Sequence, residues 1–347
     1  MSRELTVSID AMGGDAGPSI IVPALARAVQ RHPSVKFLLH GDEEAINALL
    51  GKRRTKFSHR VSVRHAPGQV RMDDKPSLAL RRGRNSSMWR AIESVKNGEA
   101  EVIVSAGNTG ALMAMSMYQL GVIEGISRPA IAALWPTEHG QCVVLDVGAN
   151  VESDADQLVD FAVMGEAFAR AVLGLERPSV GLLNVGSEEV KGHEAVKSAA
   201  HILRNTSLPI EFHGFIEGND ISKGTVDVVV TDGFTGNIAL KTAEGTAKLV
   251  VGYLRAALKR SPLARLGAVL ASGALNALRR KLDPRTANGG MFLGLNGIVV
   301  KSHGGTDARG FAAAIDMSID LAIAEINKRI VADRAGVQMP GRETVET

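Results

Sequence analysis

Short apolar runs without polar alternation recur along the chain, and each is followed by a polar residue and a glycine-containing turn. Five such runs cover residues 5–9, 102–104, 143–145, 180–183 and 226–230. Runs of this kind are typical of strands that are buried on both faces of a sheet. The pattern therefore predicts a largely parallel sheet with helices on both faces, an α/β/α sandwich.

Between the predicted strands, apolar residues return at helical spacing. The predicted helices cover residues 18–31, 43–50, 85–97, 109–120, 156–173, 187–204, 235–259, 263–281 and 308–332. No linker rich in Pro, Gly or Ser and no internal repeat divides the chain. We therefore expect one catalytic domain over residues 1–333, followed by a disordered tail over residues 334–347 that carries Pro340 and Gly341.

The turns after the strands supply the candidate binding residues. In parallel sheets ligands bind outside the carboxyl ends of the strands, and glycine lets backbone N–H groups approach an anion there. We expect the five turns to meet at one edge and form an anion site in a cleft. The candidate substrate-binding residues are Gly13, Gly14, Asp15, Gly107, Asn108, Thr109, Gly110, Asp146, Asn150, Asn184, Gly186, Asp232, Gly233 and Gly236. For the Asn and Asp residues among them, capping a helix or orienting a turn is the alternative role.

Two further residues are candidates for catalysis. Lys191 falls in the first turn of the helix predicted over 187–204, where a cation opposes the helix dipole. A bound anion between the lysine and the backbone amides would explain that position. Asn237 follows Gly233 and Gly236 closely, and its amide could donate to a developing oxyanion, with helix capping as the alternative.

Composition narrows the class of protein. Aromatic residues make up 4% of the chain and the net charge is +3, which argues against a nucleic-acid partner. The lone Cys142 lies in a strand-like run, and it is predicted to be a core residue in a reducing compartment. No signal peptide and no apolar stretch long enough to span a bilayer are visible, so we expect a cytoplasmic protein.

Several familiar motifs are missing from the sequence. The glycines after the first strand lack the G-x-G-x-x-G spacing, and no G-x-x-x-x-G-K-[ST] loop or G-x-S-x-G elbow occurs. His and Cys residues do not cluster at metal-ligand spacing. The sequence therefore predicts no cofactor, no metal and no covalent serine intermediate.

The segment over residues 255–281 departs from the rest of the chain. It contains no acidic residue and these basic ones: Arg255, Lys259, Arg260, Arg265, Arg279, Arg280 and Lys281. After Pro262, an apolar stripe includes Leu263, Leu266, Leu270 and Leu278 at helical spacing. Such an amphipathic segment either packs in a core or dimer interface or lies on an anionic membrane surface.

Several motifs, taken in the order in which they occur, resemble the motifs of a known protein family. Residues 10–15 read DAMGGD, 105–110 SAGNTG, 145–150 LDVGAN, 183–189 LNVGSEE with Lys191 and Gly192, and 231–237 TDGFTGN. Residues 72–76 (MDDKP), 81–88 (RRGRNSSM), 294–297 (GLNG) and 301–304 (KSHG) continue the series. Together they resemble the bacterial phosphate acyltransferase family, PlsX, from about residue 5 to 333.

The resemblance implies a function. Members of that family convert acyl-[acyl carrier protein] and inorganic phosphate into acyl phosphate, for phospholipid synthesis. It also implies a fold similar to phosphate acetyltransferases and the isocitrate and isopropylmalate dehydrogenases, a homodimer, and peripheral membrane association near a membrane glycerol-3-phosphate acyltransferase. Lys191 and Asn237 fall on catalytic positions, and His303 joins the substrate-binding candidates. Because the carrier is acidic, Arg81, Arg82 and Arg84 are candidate docking residues.

Two other functions remain open on the residues alone. One is a metal- and NAD-dependent decarboxylating dehydrogenase on a similar sheet, which would require a cluster of Asp ligands and a basic substrate clamp. The other is a non-catalytic protein that binds anions or lipids, for which five polar glycine turns would be excessive.

Overall fold

A mixed sheet of eleven strands forms the centre of the molecule. The computed structural model describes residues 5–51, 57, 59–206, 210–281 and 289–335. The strands are β1 (Thr6–Asp10), β2 (Lys36–Gly41), β3 (Val61–His65), β4 (Val102–Ser105), β5 (Ala130–Pro136), β6 (Gln141–Leu145), β7 (Ser179–Leu183), β8 (Glu211–Ile216), β9 (Val228–Val230), β10 (Gly290–Leu293) and β11 (Ile298–Lys301). All five strands predicted from the apolar runs are confirmed.

Strand direction divides the sheet into two halves, and the strands within each half are parallel to one another. The order is β3-β2-β1-β4-β11-β10-β5-β6-β9-β7-β8. Strands β3, β2, β1, β4 and β11 are parallel to one another, and so are β6, β9, β7 and β8. Between the halves, β10 is antiparallel to β11 and β5, and β5 is antiparallel to β6. Consequently the second half runs opposite to the first.

Helices cover both faces of this sheet. They are α1 (Pro18–Arg31), α2 (Glu43–Leu50), α3 (Pro76–Arg82), α4 (Ser87–Lys96), α5 (Thr109–Leu120), α6 (Ala155–Leu173), α7 (Glu194–Asn205), α8 (Gly218–Lys223), α9 (Gly233–Lys259), α10 (Pro262–Leu270), α11 (Ser272–Lys281), α12 (Ala308–Ile323) and α13 (Ile326–Ala335). A short 3₁₀ turn, Gly83–Asn85, joins α3 to α4.

Alternate strand residues contribute to two cores, one on each face. Val102 and Val104 point into the core that holds α1, α6 and α12, whereas Ile103 between them points into the core of α4 and α5. This alternation is what a strand buried on both faces requires, since successive side chains leave opposite faces of the sheet. The α/β/α sandwich is confirmed. Cys142 is a core residue of β6, and burial raises the pKa of its thiol to about 12.

Local backbone breaks explain where the helix predictions are wrong. The helix predicted over 187–204 begins only at Glu194, because Gly192 has a left-handed φ of +92° just before it. The helix predicted over 263–281 is two helices with Ala271 between them, and that over 308–332 is interrupted near Glu325, whose φ is +50°. Helices α3 and α8 were not predicted. The predicted tail falls mostly on residues 336–347, outside the described residues.

Candidate active site

The five predicted turns do not meet at one edge of the sheet. The turns after β1 and β4 leave one edge, whereas those after β6, β7 and β9 leave the other, because the antiparallel strands β5 and β10 reverse direction between the halves. The prediction of a single convergence is therefore wrong. The candidate residues form two groups, and helix α9 begins at the second of them.

The first group is built around the buried carboxyl of Asp10, at the end of β1. It accepts hydrogen bonds from Ser87 Oγ (2.5 Å) and Ser105 Oγ (2.7 Å), while burial raises its pKa. A Cβ on Gly13 would lie 2.6 Å from Asp10 Oδ2 and 2.8 Å from the amide nitrogen of Gly107. Only glycine allows this approach of the β1 and β4 turns.

The turn after β11 completes the first group. The backbone N–H of Asp15 donates to the carbonyl of Gly304 (3.1 Å), so that the predicted residues Gly14 and Asp15 lie beside the His303–Gly304 turn. Gly14 has a φ of +85°, and a Cβ there would lie 2.9 Å from the same carbonyl oxygen. The structure thus brings the β1, β4 and β11 turns together.

Asn108 both caps a helix and anchors a neighbouring segment. Its Oδ1 accepts from the N–H of Ala111 in α5, which Thr109 begins, and its Nδ2 donates to the carbonyls of Met72 (2.8 Å) and Asp74 (3.0 Å). Gly110 lies against Pro76, where a Cβ would approach the proline ring to 2.6 Å. These contacts hold the segment of residues 72–76 over the first group.

The second group begins with Asp146, which is fully buried after β6. Its carboxylate accepts from four backbone N–H groups. Burial raises its pKa, although the hydrogen bonds from Ala149, Ile131 and Asn150 oppose the rise. Asn150, also buried, donates from Nδ2 to Asp146 Oδ2 (3.0 Å) and to the Pro129 carbonyl (2.9 Å). These two side chains are bonded to their own turn and to the backbone of Pro129 and Ile131 at the start of β5, which corresponds to the alternative role of orienting the turn.

Helix α9 is seated directly on this turn. Asp232 is its N-cap and accepts from Thr235 N (2.8 Å), and Gly233 N donates to the Asn150 carbonyl (2.8 Å). Asn237 lies one turn further along the helix, exposed and beside Gly148. The capping alternative for Asn237 is wrong, because Asp232 occupies the cap.

Lys191 lies in a loop before helix α7 and not in a helical turn. His193 is the N-cap of that helix, so the argument from the helix dipole does not apply to Lys191. Its Nζ pairs with Glu188 Oε1 at 2.7 Å, and this carboxylate raises its pKa. Asn184 Nδ2 donates to the Lys191 carbonyl (3.1 Å), and Gly186 leaves room for the lysine side chain.

Lys191 and Asn237 nevertheless belong to the same edge of the sheet. They follow β7 and β9, which are adjacent and parallel, so both strands end on the same side. Lys301, the last residue of β11, lies against the β4 turn, where its Nζ donates to the carbonyl of Ala106 (3.4 Å). It was not among the predicted site residues, although it lies within the quoted motif of residues 301–304.

The remaining candidates lie on the surface. Arg81 and Arg82 are in the last turn of α3, Arg84 follows in the 3₁₀ turn, and all three are exposed. Leu263, Leu266 and Leu270 of α10 are 78%, 56% and 81% exposed. The side chain of Leu278 is outside the described part. Within the described residues, no helix has the length and hydropathy needed to cross a bilayer.

Comparison with known proteins assigns the chain to a family. The family model described as "Fatty acid synthesis protein" matches residues 5–329. The phosphate acyltransferase of Parvibaculum lavamentivorans is 60% identical over 334 residues, which cover 96% of this chain and 92% of the relative. That of Rhizobium meliloti is 57% identical, with 95% of both chains covered. The chain belongs to the phosphate acyltransferase family.

Solved structures that share the fold are more distant than these members of the phosphate acyltransferase family. The EutD phosphotransacetylase of Staphylococcus aureus aligns with a TM-score of 0.57 and 17% identity, covering 92% of this chain and 94% of that one. A 4-hydroxythreonine-4-phosphate dehydrogenase from Salmonella typhimurium aligns with a TM-score of 0.53 and 14% identity, covering 92% and 100%. At these identities the likeness shows the fold alone, and it confirms the predicted similarity to phosphotransacetylase and dehydrogenase-like folds.

Proposed function

We propose that the protein transfers the acyl group of an acyl-[acyl carrier protein] thioester to inorganic phosphate, and so supplies acyl phosphate for phospholipid synthesis. The observation that carries the proposal is the 60% identity, over 96% of the chain, to a protein named phosphate acyltransferase. A decarboxylating dehydrogenase is not favoured, because the dehydrogenase likeness extends to the fold only.

The proposed reaction is a direct displacement on the thioester. A phosphate oxygen attacks the carbonyl carbon and forms a C–O bond. The amide of Asn237 and backbone N–H groups stabilise the resulting oxyanion. The C–S bond then breaks, and the new C–O bond to phosphate is kept. The thiolate leaves and takes a proton from solvent. Lys191 supplies positive charge at the same sheet edge. Holding both substrates together provides the proximity that a covalent intermediate would otherwise give.

The decisive experiment mixes the purified protein with an acyl carrier thioester and inorganic phosphate. We expect acyl phosphate, trapped with hydroxylamine as the hydroxamate, in amounts equal to the free carrier thiol released. No metal or nucleotide is added. Thiol release without acyl phosphate would indicate a thioesterase and contradict the proposal.

Lys191→Ala is expected to remove most turnover while the fold is kept. The lysine is exposed and bonded only within its loop in the described contacts, so its loss should change stability little. Lys197→Ala is the matched control, since Lys197 pairs with Glu194 in the same helix-and-loop region. Steady-state kcat/KM of both variants checks this, and equal values in the two would remove Lys191 from the proposed catalytic machinery.

Charge reversal at Arg81, Arg82 and Arg84 is expected to raise KM for the acidic carrier and flatten its salt dependence. KM for phosphate should not change, because exposed charges at the rim of a site act on the approach of a charged protein partner and not on binding of phosphate within the site. Reversal of Arg27, an exposed arginine of α1 on the other face of the sheet, serves as the control. If phosphate KM rises instead, the three arginines belong to the anion site.

We also propose that the segment of residues 255–281 binds anionic membrane surfaces, where a lipophilic product is released. Exposed leucines of α10 lie beside the exposed basic residues Lys259, Arg260 and Arg265. Each basic residue near an anionic leaflet contributes about 1 kcal/mol. A homodimer, a cytoplasmic location and transfer of the product to a membrane glycerol-3-phosphate acyltransferase belong to the same proposal.

Binding to vesicles provides the corresponding prediction. The protein should sediment with anionic but not zwitterionic vesicles, less so in high salt, and the double change Leu266→Glu with Leu270→Glu should abolish sedimentation without loss of activity in solution. Ile323→Glu, at a side chain 70% exposed on α12, is the control. If the double variant unfolds or loses its dimer, the stripe is an interface between copies of the chain.

A further inference from the structure

Exposed apolar side chains collect in the turns that carry Lys191 and Asn237. They are Val151 after β6, Val185 and Val190 after β7, and Phe234 and Ile238 at the start of α9, with exposed fractions between 48% and 85%. We call these five residues the apolar patch. The turns of the first group, residues 11–17, 106–108 and 302–307, are all described by the structure and carry no exposed large apolar side chain. Such side chains therefore distinguish the second group of turns from the first.

Strand pairing brings the three turns of the patch close together. Strands β6, β9 and β7 are successive in the sheet, and Val230 of β9 pairs with Leu145 of β6 on one side and with Leu182 of β7 on the other. Adjacent strands lie about 4.8 Å apart, so the three strand ends span about 10 Å. Single exposed apolar residues are common on protein surfaces, but several within such a distance form a patch.

The loop after β7 holds two valines of the patch beside Lys191. Asn184 Nδ2 donates to the Lys191 carbonyl (3.1 Å) and so closes the loop of residues 184–191. Val185 and Val190 are the residues just inside the two ends of this closed loop. The loop that presents the lysine therefore also presents the two valines.

The start of α9 joins the patch to the turn after β6. The backbone N–H of Gly233 donates to the carbonyl of Asn150 (2.8 Å), and the next residues along the chain are Phe234 and Val151. These two apolar residues therefore lie on adjoining backbone.

Asn237 lies within the apolar stripe of α9. It follows Phe234 by three positions, and Ile238 follows Phe234 by four, so all three lie on one side of the helix. All three are exposed. A Cβ on Gly148, in the turn after β6, would lie 3.5 Å from Asn237 Cβ. The proposed oxyanion donor therefore has apolar neighbours on its own helix and lies against the turn that leads to Val151.

An occupant of the apolar patch has to be apolar and has to reach Asn237. The carbonyl whose oxyanion this residue is proposed to stabilise carries the acyl chain on the same carbon atom, so the chain leaves across the surface around the residue. Removing water from the chain and from the patch is favourable. A second copy of the protein on the patch would cover Asn237 and Lys191 as well, and both have to remain open to the substrates.

We propose that the apolar patch binds the acyl chain of the thioester substrate. The inference rests on the proposed acyl transfer and adds to it the residues that favour longer chains over shorter ones. Because the patch extends over three turns, a long chain contacts more of it than an acetyl group does. Affinity for the chain therefore increases with its length.

Binding of unreactive substrate analogues tests the patch without turnover. The probes are amide analogues of acyl pantetheine, in which NH replaces the thioester sulfur, with acetyl, hexanoyl and decanoyl chains. Titration calorimetry with the wild-type protein should show an affinity that rises about twofold to fourfold with each added methylene, as for a partly to fully buried CH₂ group. The acetyl amide is the reference in each protein, because it carries the pantetheine with almost no chain.

Two sets of exposed changes should flatten this dependence on chain length. In Phe234→Ser, and in the double change Val185→Ser with Val190→Ser, the gain in affinity from acetyl to decanoyl should fall by about tenfold or more, because less apolar surface covers the chain. Phe234→Leu should keep most of the gain. Val331→Ser, at a side chain 49% exposed on α13, is the control and should bind all three amides as the wild-type protein does. Thermal unfolding checks that each variant is folded.

The outcomes separate the acyl chain from other occupants. If the wild-type protein binds decanoyl no more tightly than acetyl, or if both sets of variants keep the full gain, the proposal is overturned. A kept gain together with loss of the dimer would assign the patch to a contact between copies of the chain. Failure of the wild-type protein to make acyl phosphate would instead contradict the proposed function and leave the calorimetric result standing.

Discussion

Asn237→Ala lowers kcat by about 100-fold or more, and the protein remains folded. The expected size is that of one lost oxyanion donor, which elsewhere contributes about 3–4 kcal/mol to the transition state. The side chain is exposed in the second turn of α9, so its removal leaves no buried group unpaired. Single-turnover measurement of acyl phosphate formation isolates the chemical step from product release.

A second variant separates the donor role from shape. Asn237→Asp keeps the size of the side chain but offers no N–H donor at neutral pH, so its kcat should be at least as low as that of Asn237→Ala. Asn205→Ala, at another exposed helical asparagine, is the control. Near-normal kcat in Asn237→Ala, or a fall in thermal stability as its only effect, would contradict the assignment.

Gly236→Ala is expected to destabilise the protein severely, by about 1–3 kcal/mol or more. A Cβ at this position would lie 2.0 Å from the carbonyl oxygen of Asp146 and 3.0 Å from Thr231 Cγ2. The Asp146 backbone cannot yield easily, because its carboxylate is held by the N–H groups of its own turn. Urea unfolding followed by circular dichroism measures the loss.

Gly245→Ala, on the same helix, is the matched control for Gly236→Ala. Nothing lies within 4 Å of a Cβ at Gly245, and its backbone is helical. Replacing a helical glycine by alanine there should stabilise the protein by about 0.5–1 kcal/mol. If the free energy of unfolding falls in Gly236→Ala and rises in Gly245→Ala, Gly236 is needed for the close packing of α9 on the β6 turn. Wild-type stability with lost phosphate binding in Gly236→Ala would instead favour a direct substrate role.

The sequence predicts local structure here much better than the relation between distant turns. Apolar runs and capping residues placed the five strands and helices α1, α2 and α5 correctly, because burial and capping act within a few neighbouring residues. Lys191 was misplaced by a single feature, the left-handed Gly192, which delays the start of α7. Periodicity does not report such a conformation.

The site itself depended on information that no local pattern contains. The side of the sheet from which a turn leaves is determined by strand direction, and the reversal comes from the antiparallel strands β5 and β10. Strand β10 lies far along the chain from the turns after β1, β4 and β6. Long-range strand pairing determined this arrangement.

The position of β10 and β11 in the sheet has a consequence for how the chain folds during synthesis. Strands β4 and β5 are close in sequence, yet they are joined laterally only through β11 and β10, which begin at Gly290. Until those residues leave the ribosome, two half-sheets expose unpaired edges, and such edges are templates for aggregation. The pairing is also of high contact order, which slows folding. A nascent chain of this protein therefore depends on the residues from Gly290 onward to close its core, and chaperones that shield strand edges would act on it before that moment.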